Sequence, residues 1–595
     1  MELDRRSISL RPKTRYGIAK MNAEIHESDV LIIGAGGAGL RAALEAAKQG
    51  AQVIVLSKGP VPGGATSVSG GVMQAAVGPD DSPDQHFRDT LVGGRFLNNQ
   101  KLVRTFVDNA PQRVLDLERY GCAFDRKSDG SLDLRMPSGA TRKRGIEGEV
   151  NSNIQKILAQ RALECGVRIQ EFMMVTRLLQ DETGFVRGAT AVDFAMGTFV
   201  VFVAKVTILA TGAAGQLYAV TACPRSSTGD GIALARRVGA RLLNLEMMQF
   251  IPLAYAYPEF IKGFTLGEAP NYGQQTRFLN SKGERFMLKY DPKYAEYATR
   301  DLAARGNYIE IQEGRGSPHG GIWVDATAND PRDGLYQPHT RAYRHKMIVD
   351  FYGPAKANFE EPFEATPSAL FLIGGVEINP DCRTTVPGLF AAGEVSANLH
   401  GANRLGANAL SEIQVFGSIA GINAAEESRA CPPAPLTDKV RQQINEERTL
   451  VLQLRNRPGK RRACEVKREI QRIMWDSVGV VREGKQLRLA LDKLRTLREI
   501  AQKEVGVASQ ARRYNYDWVE GLEIHKMLDA AEIMAVAALS RTESRGAHYR
   551  TDFPNEDNIN WLRETVVQDV AGELIVTSQP VDLSIMAHPE LQSLR

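Results

Sequence analysis

Gly34, Gly36 and Gly39 stand at G-x-G-x-x-G spacing, directly after the apolar run Val30–Ile33 and directly before Leu40–Lys48, which is rich in Ala, Leu and Glu. In a strand–turn–helix setting this spacing points to binding of a dinucleotide pyrophosphate. Gly34 permits the tight turn, Gly36 lets backbone approach the phosphates, and Gly39 lets helix pack close to strand. The helix N-terminus, reached through Gly37, faces the negative charge. Gly50 ends the helix, and Gln52–Leu56 reads as the second strand. Ser57 and Lys58 then occupy the place where many dinucleotide folds put an acid for ribose hydroxyls. That departure argues against NAD and fits FAD. The stretch Pro62–Val72, with Gly64, Ala65, Thr66, Ser69, Gly70 and Gly71, is too rich in Gly and Ser for ordinary core. It reads as a loop whose backbone passes close to a flat ligand.

Further elements must complete this site. Lys205–Ala213 reads as a buried strand ending at Ala210-Thr211-Gly212, which returns the chain to the first sheet. Thr228-Gly-Asp-Gly231 opens a helix over Ile232–Val238. There Asp230 either accepts ribose hydroxyls or caps the helix, a role worth about 1 kcal/mol. Gln100–Tyr120 and Asn151–Cys165 have helical periodicity, and Val167–Leu178 and Val186–Phe194 alternate like a small antiparallel layer. Residues 245–365 are denser in aromatics, Pro and charge, as expected of an inserted domain. Gly388–Glu394 is again a short apolar strand closed by Gly and an acid, and Gly401–Ala420 is Gly-rich and then helical. Two distant segments therefore build one site. Cys431–Pro435 is a linker signal, and Val440–Leu454, Ala463–Ile473, Lys485–Val505 and Glu520–Leu539 read as helices. The expected organisation is an arm (1–24), an α/β Rossmann-like FAD-binding domain (25–244 and 366–430) and an α+β capping domain (245–365). A helical domain (436–540) and a tail of short strands (541–595) follow.

A chain of 595 residues needs several packed units, since single cores rarely exceed ~250–300 residues. Apolar content of 43%, charge of 24% and a dispersed net charge of +4 describe an ordinary soluble protein and do not argue for nucleic acid. Six scattered cysteines form no C-x-x-C, so no iron–sulfur, zinc or disulfide framework is readable. No apolar run reaches the ~18 residues of a membrane span. Met1–Lys20 is basic and contains Arg5-Arg6 but lacks an apolar core, so it reads as a docking arm rather than a secretion signal. The expected location is cytoplasmic, with peripheral attachment to the inner membrane face through partners.

Gly34–Gly39, Ala210–Gly212, Thr228–Gly231, Gly388–Glu394, His400-Gly-Ala-Asn-Arg-Leu-Gly-Ala-Asn-Ala-Leu410, and Arg541-Thr-Glu-Ser-Arg-Gly-Ala-His548 with Asp552-Phe-Pro554 together resemble the flavoprotein subunit of the succinate dehydrogenase/fumarate reductase family. That family includes L-aspartate oxidase. The resemblance runs from about residue 25 to about 565. It implies an FAD-dependent oxidoreductase that moves a hydride between flavin and a C–C/C=C bond, and an iron–sulfur partner that exchanges the electrons. By motif, Arg404 would clamp a substrate carboxylate, with a structural ion pair as the competing role, and His400 would lie beside flavin and substrate or be a loop histidine satisfied by backbone. Glu394 would bind FAD ribose. Asn408, Ala409, Leu410 and Ser411 would lie near the isoalloxazine.

Four departures stand out. Gly64 replaces the histidine that attaches FAD in membrane-bound members, so the cofactor is expected to be non-covalent. Ile251 in Gln249-Phe-Ile-Pro-Leu253 replaces a substrate-contacting histidine. The family's arginine in a Thr-Glu-Gly-x-Arg-Gly motif falls on Asn271 or Tyr272. Leu370 replaces a histidine before Gly374-Gly375. Glu268, Tyr272, Arg277 and Arg404 remain as polar candidates, with Tyr272 able to donate a phenolic proton or stack on an aromatic substrate. The leading expectation is an organic-acid or diverged substrate less anionic than fumarate. Fumarate reductase or succinate dehydrogenase proper comes second and L-aspartate oxidase third. An FAD electron-transfer subunit with no substrate of its own is the alternative from another class.

Overall fold

The computed structural model describes residues 24–148, 153–332 and 338–589. The N-terminal arm and the first residues of the helix expected from Asn151 lie outside the described residues.

β1 (Glu24–Ile33), α1 (Gly37–Lys48) and β2 (Val53–Leu56) form the dinucleotide unit, with Val30–Ile33 parallel to Val53–Leu56. β1 begins well before the apolar run because Glu24–Ser28 pairs with Val200–Ala204 of the long strand Thr198–Leu209. Among the described residues seven strands make this sheet. The order is Arg168–Gln170, β2, β1, Thr198–Leu209, Val186–Asp193 and Met173–Gln180, with Leu389–Ala391 joining the end of Thr198–Leu209. The expected separate antiparallel layer is therefore one end of the same sheet. Thr198–Leu209 is long enough for its first half to pair antiparallel with Val186–Asp193 while its last residues pair parallel with Leu389–Ala391. Val167–Leu178 splits for the same reason into a strand beside β2 and a strand of the hairpin.

The helix Asn408–Ala430 covers α1 closely: a Cβ on Gly421 would lie 2.2 Å from the Ala42 carbonyl oxygen. Gln100–Tyr120 is helical despite Pro111, capped by the Asn99 side chain and ended by Gly121 at φ 112°. The capping domain carries a five-stranded antiparallel sheet, in the order Thr265–Gly267, Met248–Tyr255, Phe363–Leu372, Ile322–Asp325, Arg277–Leu279. It has a core of its own around Leu253, Tyr255, Phe278 and Phe363. The C-terminal helices are Asp438–Asn456, Ala463–Ser477, Gly484–Lys503 and Tyr516–Ser540. The hairpin Arg563–Val570/Glu573–Pro580 then pairs with Leu242–Leu243 and ties the tail back to the FAD side of the molecule. No helix among the described residues is long and apolar enough to cross a membrane.

Candidate active site

β1, Thr198–Leu209 and Leu389–Ala391 end together, and beyond their C-terminal ends lies a cavity of about 910 Å³. Open parallel sheets bind ligands at this edge. The glycines sort into two kinds. Gly34 has φ +113° and a Cβ there would lie 2.1 Å from the Ala210 carbonyl oxygen, while one on Gly39 would lie 1.9 Å from the Gly34 carbonyl oxygen. Those two are required by the protein's own packing. A Cβ on Gly36 would approach only Thr66 Oγ1, at 3.8 Å, and Gly64, Gly70 and Gly212 have nothing within 4 Å of that position. All four border the cavity, with Gly37, Ala65, Thr66, Ser69, Gly71, Ala210, Thr211, Ala409 and Leu410. Gly64 and Gly212 also have φ of +78° and +72°, which favour glycine. Gly36 and Gly70, with room for a side chain along a channel that ends at the N-terminus of α1, suit a phosphate-bearing flat cofactor. Gly36→Ala should leave the melting temperature of the cofactor-free protein unchanged and weaken FAD binding about 10- to 100-fold, the value of one or two charge-assisted hydrogen bonds. Gly34→Ala should fail to fold stably, and parallel melting and flavin titrations separate the two effects.

Ser57 and Lys58 border the cavity with Asp230. Lys58 Nζ lies 2.6 Å from Asp230 and 2.8 Å from Glu523 of the helix Tyr516–Ser540, and donates to Thr228 Oγ1 at 2.7 Å. Burial alone would favour the neutral amine, but the two carboxylates outweigh it and raise the Lys58 pKa above the ordinary range. Asp230 is the first residue of its helix, and Gly229 holds the capping position. Its carboxylate thus pairs with Lys58 rather than capping. Glu394 accepts the Leu372 N–H at 3.0 Å and faces the same cavity. Burial, opposed by that N–H and by Arg404, pushes it up to about 8. Its carboxyl holds a proton more tightly folded than unfolded, so its favourable contribution is complete below pH about 4.5 and is lost as pH rises to about 8. Glu394→Gln should therefore stabilise the cofactor-free protein relative to the parent by about 1–2 kcal/mol more at pH 8.5 than at pH 5, read by denaturant melts.

At the other end of the cavity two arginines converge. Arg404 is buried, its guanidinium stacked 4.5 Å over the Phe371 ring. Nη1 donates to the Leu405 carbonyl at 3.2 Å, Nε has no hydrogen-bond partner, and no carboxylate of the described residues is within ion-pair distance. Burial and the like charge of Arg300 pull its pKa down to about 9, against Glu394, Glu412 and Glu268. At neutral pH the guanidinium remains charged. Arg300 opens the helix Arg300–Glu310 of the capping domain and donates through Nε to Glu268 Oε1 at 2.8 Å, with Nη2 on the same oxygen. Ser138 Oγ donates to Glu268 Oε2 at 2.7 Å. Burial tends to raise the Glu268 pKa, but Arg300 and Ser138 hold it below the usual value. Arg300, Glu268, Ser138 and Arg404 all line the cavity.

Other expected site residues sit elsewhere. Tyr272 is buried in the capping-domain core beside Phe363, donates its hydroxyl to the Leu266 carbonyl at 2.7 Å and does not line the cavity. Its place in that core replaces the expected proton-donor role. Arg277 is exposed on an edge strand. His400 is buried behind the lining, Nε2 2.9 Å from Glu412, and meets Phe371 edge-on at 5.4 Å, on the ring that also carries Arg404. Asn408 and Ser411 support the wall from behind. Asn408 Oδ1 pairs with His86 at 2.9 Å, and Ser411 donates to the Gln74 carbonyl at 2.6 Å. Sequence reasoning missed Arg300. The signal was present: an arginine in the first turn of a helix opposes the macrodipole, so Thr299-Arg300-Asp301 implied a nearby carboxylate, which is Glu268.

Known proteins share this sequence and fold. Residues 29–410 match the FAD binding domain family, and residues 467–593 match the fumarate reductase flavoprotein C-terminal family. A CoM/CoB fumarate reductase polypeptide from Methanothermobacter marburgensis is 39% identical, over 92% of this chain and 98% of its own. The fumarate reductase flavoprotein subunit of Mycobacterium tuberculosis is 32% identical, over 94% of this chain and 98% of its own. The flavoprotein of Escherichia coli quinol fumarate reductase superposes with a TM-score of 0.88 at 28% identity, covering 95% of this chain and 98% of that one. The chain is thus a member of the fumarate reductase/succinate dehydrogenase flavoprotein subunit family, with the fold of that family, and an FAD-dependent oxidoreductase.

Proposed function

We propose that this subunit interconverts an α,β-unsaturated carboxylate and its saturated form, with Arg404 holding the carboxylate and Arg300 moving the proton. The observation that carries the reading is the pairing of a cavity-facing Arg300 with Glu268 next to an Arg404 that lacks a carboxylate partner. FAD, held along Gly34–Gly39, Gly64–Gly71, Ala210–Gly212 and Glu394, supplies the hydride when reduced. Arg404 draws electron density toward the carboxylate and makes the far alkene carbon electrophilic. Arg300 gives a proton to the neighbouring carbon, so the double bond gains one hydride and one proton. Glu268 takes up a proton from solvent by way of Ser138, whose hydroxyl donates to it, and passes that proton to the neutral Arg300, which restores both groups. An electron-transfer subunit without a substrate would have no use for an unpaired buried guanidinium, since burying one costs several kcal/mol.

The cofactor is held without a covalent bond, in keeping with Gly64 and with a cavity lined by no histidine among the described residues. Electrons reach it from an iron–sulfur subunit, which also sets any attachment to a membrane face. In the test, the FAD-loaded protein with a reduced viologen dye should consume a 2-enoate, and acid precipitation should leave the flavin in the supernatant. Failure of every 2-enoate would overturn the reaction, and flavin in the pellet would overturn non-covalent binding.

A further inference from the structure

The wall that meets the carboxylate clamp is apolar and built as one piece. Ile251 lies opposite Ser368 in the capping sheet, and the Ser368 hydroxyl holds the Gly263 carbonyl at 2.8 Å, which sets Phe264 beside it. One residue on, Ala369 accepts the Ala222 N–H at 2.9 Å, and the Leu370 carbonyl accepts the Cys223 thiol at 3.2 Å. Ile251, Phe264, Ala222, Cys223 and Leu370 all line the cavity. The next residue, Phe371, carries the Arg404 guanidinium. The apolar wall thus begins one residue from Phe371, the ring that carries Arg404.

Further arginines border the cavity. Arg300 is neutralised by Glu268. Arg344 borders the cavity but donates to the carbonyls of Thr265 and Leu266 at 3.5 and 3.2 Å, and Arg225 is exposed. The Cys223 thiol is spent on Leu370, and burial with Glu394 nearby keeps it protonated. A second carboxylate lying against the Ile251 and Leu370 side chains would exchange its water for apolar contact, a cost of several kcal/mol. An alkyl or aryl group there gains by burial.

Resting on the reaction read above, we propose that the acid held by Arg404 is a monocarboxylate, a 2-enoate or its saturated product, whose alkyl or aryl group lies against Ile251, Phe264 and Leu370. Isothermal titration of the FAD-loaded protein with butanoate, 3-phenylpropanoate and succinate tests it without turnover. The apolar monocarboxylates should bind at least about tenfold more tightly than succinate. Leu370→His, which places a donor in the wall, should move that ratio about tenfold toward succinate. Flavin content and melting temperature report whether the variant folds, and the parent titration decides the matter if it does not. Succinate binding as tightly as the monocarboxylates, or no acid binding at millimolar concentration, would overturn the proposal. Monocarboxylate preference with no 2-enoate reduced would support the subsite and overturn only the reaction.

Discussion

Arg300→Met should lower kcat about 10³–10⁴-fold while flavin content, melting temperature and substrate KM stay within about threefold of the parent. The size is that of a general acid, commonly 10²–10⁴, together with a cation next to developing charge. Arg300 opens the first turn of its helix and answers to one carboxylate, Glu268. Its charge opposes the helix dipole there, so removing it should not weaken the helix. The cost should appear in kcat because the proton moves only in the transition state. Arg300→Lys keeps a cation but not the planar fork that meets Glu268 through Nε and Nη2, and should recover only part of the rate. Glu268→Gln should slow turnover as well, since no carboxylate is then left to take up a proton and relay it to Arg300. A merely structural ion pair would show the reverse pattern, with melting temperature falling and kcat unchanged.

Arg404→Met should lower kcat/KM about 10²–10³-fold, mostly through KM, because truncating one partner of a buried charge-assisted contact costs about 2–5 kcal/mol. The same substitution should leave the cofactor-free protein as stable as the parent, or more so. Arg404 is buried with an unsatisfied Nε and no carboxylate at ion-pair distance among the described residues. Replacing such a charge by an apolar side chain of similar length removes a desolvation cost without breaking a pair. Loss of substrate affinity with equal or higher melting temperature would mark Arg404 as a binding group held at the expense of stability. Calorimetric melts and steady-state kinetics on the same preparation check both.

The cofactor end was largely legible in the sequence, and the substrate end was not. Gly34 and Gly39 declared themselves by spacing, because the turn and the helix–strand contact each demand a glycine at a set interval, and Gly36 between them borders the cavity. The return of Glu394 to the cavity was legible because Leu389–Ala391 is a short apolar strand ended by Gly393, and such a strand must find a sheet. Tyr272 misled for a physical reason. A tyrosine near a motif carries a possible proton donor, yet its ring had more to gain by packing against Phe363, and its hydroxyl found the Leu266 carbonyl. Arg300 escaped because it lies in the sequence well beyond the stretch around Asn271. The fold of the capping sheet, not spacing along the chain, brings it to Glu268. His400 could be placed in the right segment but not on the right side of Phe371, since sequence carries no information on which face of a loop meets the cavity.

Single-turnover reoxidation of the flavin tests the account most directly. The FAD-loaded protein is photoreduced under anaerobic conditions and mixed with a 2-enoate, and the return of oxidised flavin absorbance is followed in the parent and in Arg300→Met. The account predicts reoxidation in the parent and a rate about 10³-fold lower or more in the variant, with the acid still bound. A parent whose flavin stays reduced with every 2-enoate, or a variant that reoxidises as fast as the parent, would contradict it.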